Sequence, residues 1–158
     1  MKALMIYMSV HHKNTEKIAM EMAEVLDADL MKAYEANEKD ISRYDLIGFG
    51  SGIYFFKHHR KLLEFAKKLI AKKKKAFIFS TYGGGSPKIY HKLLRKKLTK
   101  RGFRIIGEFS CKGYDTFGPL KFIGGINKGK PDEKDLKRAR EFAKTLINSS
   151  HSSKYEKN

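Results

Sequence analysis

The sequence predicts an α/β fold: a doubly wound, five-stranded parallel sheet with helices on both faces. Three observations carry that prediction. Short β-rich runs alternate with longer segments of helical period, the pattern of strand–helix–strand crossovers. Three of the runs are nearly continuous apolar stretches, as strands buried on both faces require. The chain has 158 residues and 41% hydrophobic content, enough for one domain burying about 70% of its unfolded surface. Residues 1–148 are expected to form that domain.

The first strand is "ALMIYM" (3–8). Lys2 followed by apolar residues faintly suggests a signal peptide, but no small-residue cleavage site follows. The stretch therefore reads as the opening strand of a cytoplasmic protein. A polar loop, "SVHHKNT" (9–15), leads into a helix starting near Asn14 or Thr15, with Ile18, Met22, Val25 and Leu26 on one face. "ADLMKA" (28–33) is the second strand, and the link Tyr34–Tyr44 is too short for a regular helix. "DLIGFG" (45–50) is the third, followed by the loop "SGIYFFKHH". Leu62, Phe65, Ala66, Leu69 and Ile70 make a second helical face. "AFIFST" (76–81) and the turn "TYGGGSP" follow. Ser86-Pro87 then opens a third helix as N-cap and first-turn proline, with Ile89, Tyr90, Leu93, Leu94 and Leu98 facing inward. "FRIIGEF" (103–109) is the last strand. Asp132 and Asp135, at capping-box spacing, start a helix carrying Leu136, Ala139, Phe142, Ala143, Leu146 and Ile147. Residues 149–158 have no periodicity and are expected to form a disordered tail.

Ligands of such sheets bind beyond the carboxyl ends of the strands, where the strand order reverses. That rule selects Ser9–Thr15, Ser51–His58 and Thr81–Ser86. In the first, a helix start offers unpaired N–H groups and partial positive charge to an anion. Ser9, Asn14 and Thr15 add polar side chains, and His12 and Lys13 add charge. The alternative is that Asn14 or Thr15 merely caps the helix. In the other two, glycines allow close approach to a planar ligand, and Tyr54, Phe55 or Tyr82 can cover its faces. The alternative is that Phe55 and Phe56 are core and Gly83–Gly85 a plain turn. Dinucleotide and ATPase motifs are missing: "GFGSGI" has Ile53 at the last glycine position of G-x-G-x-x-G, and "GGGSPK" lacks a P-loop ending.

The stretches "MIYMSVHHKNTEKIA", "YDLIGFGSGIYFFKHHRKLLEFAKKL" and "KKAFIFSTYGGGSPKIYHKLLRKKLTKRGF" together resemble the flavodoxin family. The continuation "GEFSCKGYDTFGPLKFIGGINKGKPDEKD" is similar to that of some members. The resemblance implies strand order 2-1-3-4-5 and one non-covalent FMN at the carboxyl edge. It implies the phosphate in the first loop and the isoalloxazine between the second and third. Ser9, His11, His12, Asn14 and Thr15 match phosphate positions. Ser51, Gly52, Ile53 and Tyr54, with Thr81, Tyr82, Gly83 and Gly84, match ring positions. Lys13 stands where the family's usual S/T-x-T-G-x-T loop has glycine, and the loop is one residue longer.

The net charge of +17 is unlike the acidic balance typical of carrier members of that family. Residues 58–75 and 87–101 each carry +7, while 14–27 carries −3 and 132–147 carries +1. In the expected topology the first two segments share a face, so the basicity is a patch suited to an acidic partner. A redox protein docking there or at the flavin edge is the expectation. The histidine pairs His11-His12 and His58-His59 lack the convergent partners of a zinc site, and no metal is expected. The lone Cys111 forms no internal disulfide, in keeping with a reducing compartment. Tyr114, Asp115 and Phe117, in the long irregular stretch after Cys111, line either flavin or substrate; the sequence does not decide between them. The reading is an FMN-dependent electron-transfer protein. The alternatives are an NAD(P)H- or quinone-linked flavin oxidoreductase of the same fold, and a flavin-free module holding nucleic acid on the basic face.

Overall fold

Every residue of β1 (Ala3–Met8) is buried, as an uninterrupted apolar run in the middle of a two-sided sheet demands. A computed structural model describes residues 1–152 and sets β1 between β2 (Ala28–Lys32) and β3 (Leu46–Tyr54). A two-residue strand, β4 (Lys57–His58), folds back antiparallel on β3. β5 (Lys75–Tyr82) and β6 (Arg104–Lys112) complete a parallel sheet of order β2-β1-β3-β5-β6. Without β4, this is the doubly wound 2-1-3-4-5 arrangement. Helices α1 (Asn14–Leu26) and α4 (Glu133–Ser152) cover one face of the sheet, and α2 (Arg60–Lys68) and α3 (Pro87–Lys100) the other.

Strict alternation divides the central strands between the two layers. Ile47, Phe49, Ala76 and Ile78 pack under α2 and α3. On the opposite face β3 presents Gly48 and Gly50, and β5 fills the space with the Phe77 and Phe79 registered beside them. A Cβ on Gly50 would stand 2.2 Å from the Phe79 ring, and one on Gly48 would stand 2.4 Å from Phe77. Gly48 and Gly50 thus serve cross-strand packing.

Several local expectations are corrected. β3 continues through Ser51–Tyr54, because these residues pair with β5 and β4 and do not leave the sheet as a loop. In α3 Tyr90, Leu94 and Leu98 face inward as expected, but His91 joins them in place of Ile89, which is 64% exposed, and Leu93, which is also exposed. The helix turns to give His91 its hydrogen bonds. Ile70 lies past the end of α2 and is exposed. Ser86 precedes α3 but makes no side-chain cap bond. Asp132 and Asp135 do form the reciprocal pair, each backbone N–H donating to the other's carboxylate at 3.1 Å. α4 runs to Ser152, so 149–152 belong to a helix and not to a tail; residues 153–158 lie outside the described residues.

Where the central strands reach the carboxyl edge, the core facing α2 and α3 becomes polar. Ser51 and Ser80 are register partners, both fully buried. Ser80 lies 2.7 Å from His91 Nε2, and His91 Nδ1 lies 2.9 Å from Glu108, which also holds Arg95. The carboxylate takes the Nδ1 proton, so Nε2 accepts from the Ser80 hydroxyl. Ser51 Oγ accepts the His59 N–H at 2.9 Å, donates to the Gly52 carbonyl and lies 3.0 Å from His58 Nδ1. Its one proton is used, so His58 donates from Nδ1 and keeps a bare, buried Nε2. The two rings are 5.1 Å apart. Burial, reinforced for His58 by its neighbour His91, holds the His58 pKa well below the ordinary imidazole range. Burial lowers that of His91 too, against the raising influence of Glu108.

Both imidazoles take up protons more readily when unfolded, so the unfolded chain binds more protons below about pH 6.5. Stability is then complete above that pH and falls beneath it, by up to roughly 1.4 kcal/mol per pH unit for each histidine. The urea midpoint should drop between pH 6.5 and 5, before ordinary carboxylates titrate; a flat midpoint across that window contradicts the neutral pair. Gly50→Val should destabilise by about 1–3 kcal/mol through overpacking against Phe79. Gly50→Val with Phe79→Leu should recover part of that loss in the same unfolding measurement.

Candidate functional site

The polar seam ends beneath a cavity of about 270 Å³ at the carboxyl edge of the sheet. Ser9, His11, Asn14 and Thr15 line one part of it. Gly52, Ile53 and Tyr54, with Thr81, Tyr82, Gly83 and Gly84, line another. Eleven of the fourteen sequence-derived site residues therefore converge on one space.

His12, Lys13 and Ser51 do not line it. His12 reaches the 113–117 segment, where its Nε2 lies 2.9 Å from Thr116 Oγ1 and its ring lies 4.3 Å from that of Tyr114. Lys13 is exposed at the start of α1. Ser51 is below the cavity and anchors the hairpin from inside the core.

The first loop earns its shape from backbone more than from caps. His12 and Lys13 both have φ 54°, the left-handed conformation that glycine adopts freely. Lys13 thus holds a backbone conformation that glycine would adopt freely, at a cost of about 1–2 kcal/mol. Neither Asn14 nor Thr15 caps α1. The Asn14 amide donates to the Tyr114 carbonyl at 2.7 Å, and Thr15 and Thr81 share a hydroxyl–hydroxyl bond of 2.8 Å. Ser9 Oγ accepts the Glu16 N–H at 3.3 Å. The N-cap Lys13 offers no side-chain bond, so apart from the Glu16 N–H taken by Ser9 the first-turn N–H groups of α1 are available to a ligand. Asn14 Oδ1 is buried and without a partner, an acceptor awaiting a donor.

The second loop is a two-residue hairpin turn. Phe55 and Phe56 have φ 47° and 64°, positions usually given to Asn-Gly. They are 76% and 74% exposed, which rules out the alternative that they are core. Phe55 meets Phe117 edge-on at 5.7 Å, and Phe56 lies 6.1 Å from Tyr90. Tyr54 is edge-on to His59 at 5.4 Å, and burial, with nearby Asp115, pushes its phenol pKa up. His59 accepts the Lys61 N–H and caps α2; burial, then Lys61, lowers its pKa.

Behind the third loop, the Tyr90 hydroxyl donates to the Gly84 carbonyl at 2.5 Å. Any Cβ on Gly85 (φ 91°) would fall on that hydroxyl. The stretch after Cys111 folds back through paired hydrogen bonds between Asp115 and Ile126, and Asn127 donates to the Gly83 carbonyl at 2.7 Å. It thereby brings Gly113, Tyr114, Asp115 and Phe117 to the cavity. Sequence reasoning had left three of these open and missed Val10, Phe56, Tyr90 and Gly113 as lining. Cys111 is buried and its thiol is pushed up to about 12, mainly by burial, so it is inert. Among the described residues no cluster of three His, Cys, Asp or Glu side chains forms a metal site, and no helix is long and apolar enough to cross a membrane.

The chain is 53% identical over 148 residues to an uncharacterized protein of Methanocaldococcus jannaschii, covering 93% of this chain and 99% of that one. Oxidised flavodoxin 1 from Bacillus cereus superposes with a TM-score of 0.71 at 19% identity, over 94% of this chain and 98% of the other. Rubredoxin oxygen:oxidoreductase from Desulfovibrio gigas gives 0.73 at 19% identity, over 98% of this chain and 37% of that one. Both structural likenesses are of fold. A flavodoxin domain model matches residues 4–135, and on that match the chain belongs to the flavodoxin family.

Proposed function

We propose that this chain binds FMN and transfers electrons through it, exchanging them with an acidic redox partner. The observation that supports this best is the convergence of an uncapped helix start and two glycine–aromatic loops on one cavity. The residues present fit the group. The first turn of α1, with Ser9 and His11, is a donor set for a phosphate. Asn14 Oδ1, buried without a partner, suits a hydroxyl of the ribityl chain. Gly52–Tyr54 and Thr81–Gly84 offer backbone and aromatic faces to a planar ring. FMN supplies the redox chemistry; the chain supplies binding, orientation and electrostatics.

Those roles are kept apart by the fold. The hydroxyl bond between Thr15 and Thr81 ties the phosphate end to the ring end. The Asn14–Tyr114 and Asn127–Gly83 bonds hold the third wall against both. No residue is assigned as nucleophile or general acid.

FMN should bind at least about tenfold more tightly than riboflavin, because much of the affinity comes from the helix start. Equal affinities in a fluorescence-quenching titration would remove the first loop from the site. Steady NAD(P)H oxidation by the loaded protein alone would favour a reductase over a carrier.

Lys13→Gly keeps the left-handed backbone, relieves its strain and removes the charge. It should lower FMN affinity by roughly two- to fivefold at low salt, an effect fading as salt screens the phosphate. Unchanged affinity at low salt would make Lys13 a bystander.

A further inference from the structure

The cavity mouth has a surface of its own. Its rim carries Phe55, Phe56 and Phe117, exposed by 76%, 74% and 54%, and Ile89 lies one residue from Tyr90 on α3. Ring contacts link these aromatics into a ridge: Phe117 to Phe55, and Phe56 to Tyr90. Two adjacent phenylalanines in left-handed conformation, both turned toward solvent, bring no gain to the folded core.

Charge surrounds the ridge. The segments that build the mouth, 9–15, 51–59, 81–92 and 112–130, contain eight lysines, of which Lys130 is paired with Asp132 and Asp135, and one acid, Asp115. Each contributes an exposed lysine beside the residues that line the cavity: Lys13, Lys57, Lys88 and Lys112. Asp115, whose carboxylate accepts the Phe117 N–H at 2.8 Å, is the one opposing charge within those segments.

We infer that the ridge of Phe55, Phe56 and Phe117, ringed by Lys57, Lys88 and Lys112, is the docking surface for an acidic redox protein. The inference rests on the proposed FMN site and chooses the mouth over the basic α2/α3 face. An apolar centre inside a charged rim is the anatomy of a protein–protein interface. A phosphate polymer asks instead for a continuous run of cations, which is what α2 and α3 offer. Docking here sets the partner's centre beside the ring loops. A reduced partner docked there would pass one electron to FMN held by the ring loops, with no group transferred and no other reactant needed.

The test uses an acidic ferredoxin as probe and the FMN-loaded, isotope-labelled protein, followed by NMR titration at about 50 mM and 300 mM salt. Two triple variants have equal net charge: Lys57→Glu/Lys88→Glu/Lys112→Glu at the mouth, and Lys67→Glu/Lys72→Glu/Lys100→Glu on α2, its following loop and α3. The mouth triple should weaken binding by about tenfold or more at low salt, and the helix-face triple by less than about twofold. Phe55→Ser should weaken it by about fivefold at both salts, because the apolar part is unscreened. Electron transfer from reduced ferredoxin should slow in the same order, and a basic cytochrome c should gain from the mouth triple. Equal losses in the two triples, or a larger loss in the helix-face triple, overturn the inference. Tighter binding of a single-stranded oligonucleotide at the mouth than of ferredoxin overturns it too. Lys57→Glu alone, on an exposed two-residue strand, reads the same sign if the triple folds poorly. If FMN fails to bind, the flavin reading falls, and the ferredoxin titration of the flavin-free protein still decides the surface.

Discussion

Two neutral imidazoles, each tied to a serine at the end of a central strand, fix the edge on which the rest of the site depends. His58 reaches Ser51 from the hairpin, and His91 reaches Ser80 from α3. The apolar files Ile47–Phe49 and Ala76–Ile78 end at those serines. Both serine hydroxyls are bonded within the fold where the strands leave the core, and His58 Nε2 is the one seam atom left bare. The hairpin is held through Ser51, which binds both its side chain and the His59 backbone. The start of α3 is held through His91, one residue after the Tyr90 that steadies Gly84. A pair so buried pays for itself only when neutral, as the directions of both pKa shifts require.

The other face of the same edge is held differently. Thr81 follows Phe77 and Phe79 on β5 and bonds Thr15 at the start of α1. The irregular stretch after β6 is fastened by the Asn14 amide and by Asn127. Two strand ends, two helix starts and one long loop are thus joined by side-chain bonds around the cavity and not by sheet pairing alone. Preorganisation of this kind lowers the ordering cost of binding.

Much of this was legible in the sequence because the signals were local. Apolar runs gave the strands, helical periodicity gave α1 and α4, and Asp132 with Asp135 gave a true capping box. Loop positions followed from topology, so eleven lining residues were found. The failures share a different cause. His91 displaced Ile89 and Leu93 from the core because Ser80 and Glu108, distant in sequence, offered it partners. Ser51 went inward because alternation continued past Gly50. Phe55 and Phe56 went outward because a two-residue turn leaves its central side chains nothing to pack beneath. Val10, Tyr90 and Gly113 reach the cavity by chain paths that no periodicity encodes. Lys13 shows the limit of motif reading: a lysine holds a left-handed position that glycine would adopt freely.

The interlocking of Gly48 and Gly50 with Phe77 and Phe79 has an evolutionary reading. Neither member of a pair is free to drift alone: a side chain gained on β3 collides with a ring on β5, and a ring lost from β5 leaves a void beside bare backbone. Substitution has to pass through a coupled step, small for large on one strand and large for small on its neighbour. Across homologous sequences these positions should therefore change together or not at all, a covariation marking the β3–β5 register.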